Sequence, residues 1–202
     1  MFQVMAAPRP STIGPLATSI ACSGIFYKHA PPDFRVPSCS QDATCAEMCH
    51  AGFFATLQNK STKAPEFSAY SVTRSNALIA IQNDFPRPAW DLSAALAASE
   101  QYPLSNVLWD GTGAYDKGHL TPKEIMDYNA SAVAATFDIT NVVPQFDSCN
   151  RGSWAALELS IRDWAAGPAT ATWHNYSDKL HVVVGVGYQD LNVVNTTLGN
   201  IT

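Results

Sequence analysis

Charge is scarce in this chain, and positive charge scarcest of all. Only 14% of the 202 residues are Asp, Glu, Lys or Arg, with 12 Lys and Arg against 17 Asp and Glu, for a formal net charge of −5. A protein that grips nucleic acid or anionic lipid through a broad basic surface has the opposite balance, so bulk attraction is excluded as its binding mode. Any phosphate chemistry must come from a local site or a metal ion. Long hydrophobic runs are missing too: no window approaches the roughly 18 consecutive apolar residues of a membrane-spanning helix. The opening segment, Met1 to Pro10, has no basic stretch leading into an apolar core, so no secretory signal is visible. What is present is apolar: 47% of residues are hydrophobic, enough to fill a sizeable core, which excludes a disordered chain. At roughly 150 residues per domain the length points to one domain.

Cysteine is the next informative residue. Cys22, Cys39, Cys45 and Cys49 cluster near the N-terminus, and Cys149 stands alone. Four clustered cysteines in a secreted domain form two disulfides in one of three pairings. The rival is zinc held by Cys39, Cys45, Cys49 and His50, although that spacing is not a common zinc pattern. With the four paired, Cys149 is left as a buried free thiol or lacks its partner. Five Asn-x-Ser/Thr sequons, at Asn59, Asn129, Asn175, Asn195 and Asn200, are only mildly more than chance supplies. Together these features place the protein outside the cell, with its signal peptide absent from this chain.

Along the chain, residues 1–21 read as a loose leader and residues 22–202 as a single domain. Residues 22–50 look irregular and cross-linked. Alternation of apolar and polar side chains predicts strands over 53–57 and 67–73, joined by a turn at Asn59–Lys63. Pro86, Pro88 and Pro103 break the next stretch, leaving a short helix over 92–100. A Gly-rich run leads into His119. Residues 136–143 alternate and predict a strand that stops at Pro144, a helix follows over 153–164, and residues 180–186 read as a buried strand. Interspersed strands and helices make the class α+β or mixed α/β.

Two segments carry chemistry. His119 sits in Asp116-Lys-Gly-His119-Leu-Thr-Pro, where the glycine permits close approach of another group. Downstream, Asn150, Trp154, Glu158 and Arg162 recur every four residues, so neighbours in the series share one helix face. That face lines up an amide, a carboxylate and a guanidinium. The plainer alternative is an amphipathic surface helix carrying a Glu158–Arg162 ion pair.

The whole string, Asp116-Lys-Gly-His119, Thr140-Asn141-Val-Val-Pro-Gln145 and Asn150-x3-Trp154-x3-Glu158-x3-Arg162, resembles the DNA/RNA non-specific endonucleases, the ββα-metal or His-Me finger nucleases. Upstream, Phe26-Tyr27, Pro31-Pro32, Phe53 to Leu57 and Phe67 to Tyr70 look like the animal endonuclease-domain-containing branch. The resemblance runs from about residue 22 to 187. It implies an α+β fold, with a mixed or antiparallel sheet flanked by helices and a ββα catalytic unit: His119 near the first strand, Asn141 at the end of the second, Asn150 entering the helix. It implies His119 as the general base that activates water, and Asn150 as the one protein ligand of a largely hydrated Mg²⁺ for which Mn²⁺ can substitute. Glu158 matches the carboxylate that holds the metal's waters, Arg162 a basic residue on the same face, and Asn141 an amide lining the site. Arg87, in a Pro-flanked loop, is the candidate for bidentate binding of the scissile phosphate. Lys117 and Arg151 are candidate substrate contacts. The implied reaction is hydrolysis of DNA and RNA to 5′-phosphate ends; the alternative is a catalytically impaired nucleic-acid-binding or defence protein on the same scaffold.

The sequence departs from the family pattern twice. Lys117 stands where an arginine is usual, keeping the charge but losing the planar fork. The chain also stops soon after residues 180–186, where family members continue, so the domain reads as truncated at its C-terminus. From Asp116 to Asp163 only Lys117, Lys123, Arg151 and Arg162 oppose seven acidic residues. Few phosphate contacts imply a shallow salt dependence, a slope of about −0.9 per neutralised phosphate.

Overall fold

The computed structural model describes residues 20–29, 44–104, 115–167 and 179–186. Its centre is a four-stranded antiparallel sheet made of β1 (Cys45–His50), β2 (Phe54–Asn59), β3 (Ala64–Thr73) and β6 (Lys179–Gly185), in the order β1-β2-β3-β6. The expected hairpin is present. Phe54 pairs with Tyr70 and Leu57 with Phe67, and a register shift between Leu57 and Gln58 precedes the turn. In that turn the Asn59 side chain accepts from the backbone N–H groups of Ser61 and Thr62.

Strand alternation divides the core. Phe54, Tyr70 and Val72 face α1 (Arg74–Gln82), α2 (Lys123–Met126) and α3 (Ala130–Thr136), where Ala77, Ile125, Met126 and Val133 meet them. Ala55, Leu57, Phe67 and Ala69 face the other way and are covered by Cys22 and Ile25 of a 3₁₀ turn over Ile20–Ile25 and by the Phe26 that follows it. A Cys22–Cys49 disulfide ties this cover to β1, and Lys179 Nζ donates to the Gly24 carbonyl from β6.

A second, two-stranded antiparallel ribbon pairs β4 (Tyr115–His119) with β5 (Val142–Phe146). After β5 the chain enters α4 (Asp147–Cys149), a π-helical turn over Asn150–Trp154, and α5 (Ala155–Ala166). Helix α5 packs on α1 and α2. Two strands and a helix thus form a ββα unit beside the main sheet, and the fold is α+β.

Several expected boundaries move. No helix spans 92–100; the segment is a loop with one 3₁₀ turn at Ala98–Glu100, held by Gln101, whose amide bonds Ser93 N, Ser93 O and Leu96 O. The strand expected over 136–143 begins only at Val142, because Asn129 caps α3 and Asp138 caps a 3₁₀ turn over Ile139–Asn141, which use the preceding residues. It also runs past Pro144, which a two-stranded ribbon tolerates where the missing N–H faces outward. The helix expected from Ser153 starts with a π turn at Asn150, where Gly152 leaves helical geometry at φ −108° and ψ −105°. Strand β6 is an edge strand, so its residues are half-buried or exposed rather than buried. Two elements went unread: β1, within the segment taken as irregular, and α1, whose N-terminus is capped by Thr73 accepting from Asn76 N.

Two sequons are built into the fold. Asn59 is buried with its Nδ2 donating to Glu66, so its amide nitrogen is not free for a glycan, whereas Asn129 is exposed and uses only its Oδ1, which accepts from Ser131 N and Ala132 N as the cap of α3. Asn175, Asn195 and Asn200 lie outside the described residues, as do residues 1–19 of the expected leader and Gly187 to Thr202. Among the described residues no helix is long and apolar enough to cross a membrane.

Cys45 is also disulfide-bonded, with its partner outside the described residues, so the zinc reading fails because Cys45 and Cys49 carry no thiolate. Cys149 is free as expected but exposed rather than buried. Thiol titration should therefore detect one reactive group in the native, unreduced protein and still one after unfolding. Three or more thiols after unfolding would contradict the disulfide framework.

Candidate active site

β4 ends at His119, and the chain turns at once into Leu120-Thr121-Pro122. That turn is held from below by Asn141. Its fully buried amide accepts from Thr121 N at 2.9 Å and donates to the carbonyls of Thr121 and Thr136, each at 3.0 Å, while the Asn141 carbonyl accepts from Leu120 N. Ser68 and Thr121 hydroxyls meet at 2.6 Å, joining the turn to β3. Asn141 was expected to line the site at the end of the second strand. It lies instead just before β5, fully buried, with both amide hydrogens and its oxygen bonded to the backbone.

His119 is boxed by aromatics, with ring centroids 4.8 Å from Trp90 and 5.0 Å, edge-on, from Phe137. Trp154 Nε1 donates to its carbonyl. Its own Nε2 is buried and finds no hydrogen-bond partner among the described residues. Burial, with help from the Arg87 and Lys123 charges, pushes the imidazole pKa down to about 3, so the ring is neutral and basic in form across the physiological range. Gly118 is required beside it: a Cβ there would stand 2.7 Å from Cβ of Gln145 across the ribbon. The partner brought close by this glycine is a cross-strand side chain.

On the other face of β4, Asp116 organises the start of the helix. Its Oδ2 accepts from Asn150 Nδ2 at 3.0 Å, and Arg151 grips both carboxylate oxygens at 2.8 and 2.6 Å. The Arg151 guanidinium, assisted by the Asn150 amide, holds Asp116 below the usual carboxylate range. With its NH₂ engaged, Asn150 keeps its oxygen as the end available to a cation. About two turns further, burial pushes Glu158 up to about 8; nearby Glu124 adds to this, while Trp154 and Arg87 oppose it. Arg87 Nη2 bonds Glu124 Oε1 at 2.8 Å. Lys117 Nζ lies 5.9 Å from the Trp90 ring centre, and burial lowers its pKa.

These groups line one cavity of about 580 Å³. Of the residues singled out from sequence, it gathers Arg87, Lys117, His119, Asn150, Arg151 and Glu158. Asn141 and Arg162 do not line it. Arg162 is a further turn along α5, roughly 6 Å beyond Glu158, and its Nη2 approaches Asp163, not Glu158, at 3.4 Å. The Glu158–Arg162 ion pair of the plainer surface-helix alternative is therefore absent among the described ion pairs. Trp90, Tyr115 and Glu124 line the cavity without having been singled out. Trp90 closes the Pro-Arg-Pro-Ala-Trp stretch around Arg87, and its ring size beside prolines was the available signal; Glu124 had none beyond a place in a short helix.

The donor set suits a hard divalent cation. Asn150 offers an amide oxygen and Glu158 a carboxylate poised for a positive neighbour, both oxygen donors. Among the described residues no group of three or more His, Cys, Asp and Glu side chains could hold an ion unaided.

Comparison with known proteins bears on this geometry directly. A sequence profile of the DNA/RNA non-specific endonucleases matches residues 36–202. The chain belongs to that family. No curated protein sequence matches it. Among solved structures, one described as the EndoG/EndoGI complex, bearing on the mechanism of EndoG inhibition, superposes with a TM-score of 0.56 at 15% identity. That match covers 84% of this chain and 60% of the other, so the chain spans less than two thirds of that protein's length. At such identity the likeness establishes the endonuclease-like fold, and the ββα unit described above is the part of it that holds the cavity.

Two predictions follow from this geometry. Asn141→Ala strands a buried N–H and two carbonyls, and should lower the unfolding free energy by roughly 3 kcal/mol, read by urea titration; a change within error would mean water replaces the amide. Glu158 has a folded pKa raised above its ordinary 4.5, so its protonated form favours folding. Without metal, its contribution to stability is complete below about pH 4.5 and is lost as pH rises through about 8. Glu158→Gln should flatten that decline between pH 5 and 8 in thermal melts with chelator present, and an unchanged slope would refute the assignment.

Proposed function

We propose that this chain is a divalent-metal-dependent endonuclease that hydrolyses phosphodiester bonds of DNA and RNA, with Mg²⁺ as its ion and 5′-phosphate ends as products. One observation carries the reading: a neutral histidine with an unpartnered buried nitrogen shares a cavity with a pre-oriented asparagine oxygen and a carboxylate, in a chain of this family. His119 takes the proton from the water that attacks phosphorus; Trp90 and Phe137 fix its ring, and its low pKa keeps it unprotonated beforehand. Arg87 supplies charge to the phosphate by exchanging Glu124 for a phosphate oxygen, and Lys117 and Arg151 add charge at the rim. Asn150 would hold a bound Mg²⁺ with Glu158 holding its waters, and the ion would supply charge neutralisation to the reaction. Asp116 is a positioning residue in this scheme, since it fixes the amide of Asn150.

The disulfides at Cys22–Cys49 and at Cys45 support an oxidising compartment, and with it a secreted protein. The acidic surroundings support weak, local phosphate binding, with a shallow salt dependence.

Supercoiled plasmid and RNA incubated with the protein and Mg²⁺ should be cut, with cleavage abolished by EDTA and restored by excess Mg²⁺ or Mn²⁺. His119→Ala should slow the reaction by at least about 100-fold, the scale of general-base catalysis. Intact plasmid with the wild-type protein, or equal rates for the variant, would leave the non-catalytic binding protein as the reading of this scaffold.

A further inference from the structure

The cavity continues along β4 toward its start, where Tyr115 and Phe146 form a cross-strand pair. Their rings stack at 4.6 Å with 28° between planes. Among the described residues neither ring belongs to any of the three core clusters, and Phe146 is 49% exposed. Tyr115 lines the same cavity as His119. A stacked aromatic pair that serves no core and leaves half a phenyl ring in water needs another occupant.

The β4 alternation indicates which. Tyr115, Lys117 and His119 occupy positions i, i+2 and i+4, hence one face of the strand, and Phe146 joins that face through its register with Tyr115. Read outward from the site, the face offers a base, a cation and an aromatic platform over roughly 13 Å, at about 3.4 Å per residue. A polynucleotide presents phosphate and nucleobase in alternation on the same scale. Positive charge is limited here, since Arg151 is occupied by Asp116 and Arg87 by Glu124. Affinity must therefore draw on something other than phosphate contacts, and stacking on aromatic side chains supplies it without charge.

We propose that Tyr115 and Phe146 form a stacking platform for an unpaired nucleobase flanking the scissile phosphate, which makes single-stranded nucleic acid the preferred substrate of this site. In a duplex both faces of each base are covered by its neighbours, so only an unstacked base can lie on Phe146. The proposal rests on the nuclease reading, but its test reads binding and not cleavage.

In a His119→Ala background with Mg²⁺ present, dissociation constants are measured for a fluorescent single-stranded oligonucleotide, an abasic strand of equal length, and the corresponding duplex. The single strand should bind more tightly than the other two. Phe146→Ala should weaken it roughly tenfold, leave the abasic strand unchanged, and lose nothing extra as salt is raised; Phe146→Trp should retain the affinity. Equal affinities for single and abasic strands, an unaffected Phe146→Ala variant, or no binding of any strand would overturn the platform. Plasmid cleavage by the wild-type protein stands or falls separately, so either idea can fail alone.

Discussion

The Asn141 side chain is the constraint on which the catalytic region depends. It is a single buried amide joined to three backbone groups, at Thr121 and Thr136. Through them it fixes the exit of β4, the end of α3 and the entry to β5 at one point. His119 is two residues from one of those attachments. Its ring can be boxed between Trp90 and Phe137 only if Thr121 stays where it is, and Phe137 directly follows Thr136. The hydroxyl contact from Ser68 carries the same restraint to the main sheet, so the ββα unit does not float against the rest of the core. A buried amide in this role is costly to remove and insensitive to salt.

The second organising feature is that the site's charges are paired before any substrate arrives. Arg151 is held by Asp116 and Arg87 by Glu124. Both pairs are exposed enough that water screens them, so they orient the guanidinium groups more than they stabilise the fold. Glu158 is the opposite case: a half-buried carboxylate near Glu124, whose pKa burial raises despite the opposing Arg87 charge. The cavity itself is balanced, with Arg87, Lys117 and Arg151 set against Asp116, Glu124 and Glu158.

Parts of this were legible in the sequence because they follow from local rules. The β2–β3 hairpin showed in alternation and in the Asn59 turn, and the His119 and Asn150 segments showed in residue type and spacing. Other parts followed from competition between local signals. Residues 136–141 alternate like a strand, but Asn129 and Asp138 cap helical turns there and win. The four-residue series from Asn150 assumed an unbroken α-helix; the π turn at Asn150–Trp154 interrupts it, and Arg162 lies a turn past the cavity. β1 was hidden because its residues are neither strictly alternating nor β-branched, and only pairing with β2 makes them a strand.

By itself, then, the sequence determined the class of fold, the family, and the chemical identities gathered at the site, because these depend on pattern and residue type. Tertiary structure decided which of those residues share a cavity. Asn141 and Arg162 have the right chemistry but are taken by the interior and by an extra helical turn, whereas Trp90, Glu124 and Tyr115 arrive from distant or unremarkable positions. The reason is physical: a side chain's function depends on which groups satisfy its polar atoms and how far burial shifts its charge, and both are settled only when segments dozens of residues apart pack together.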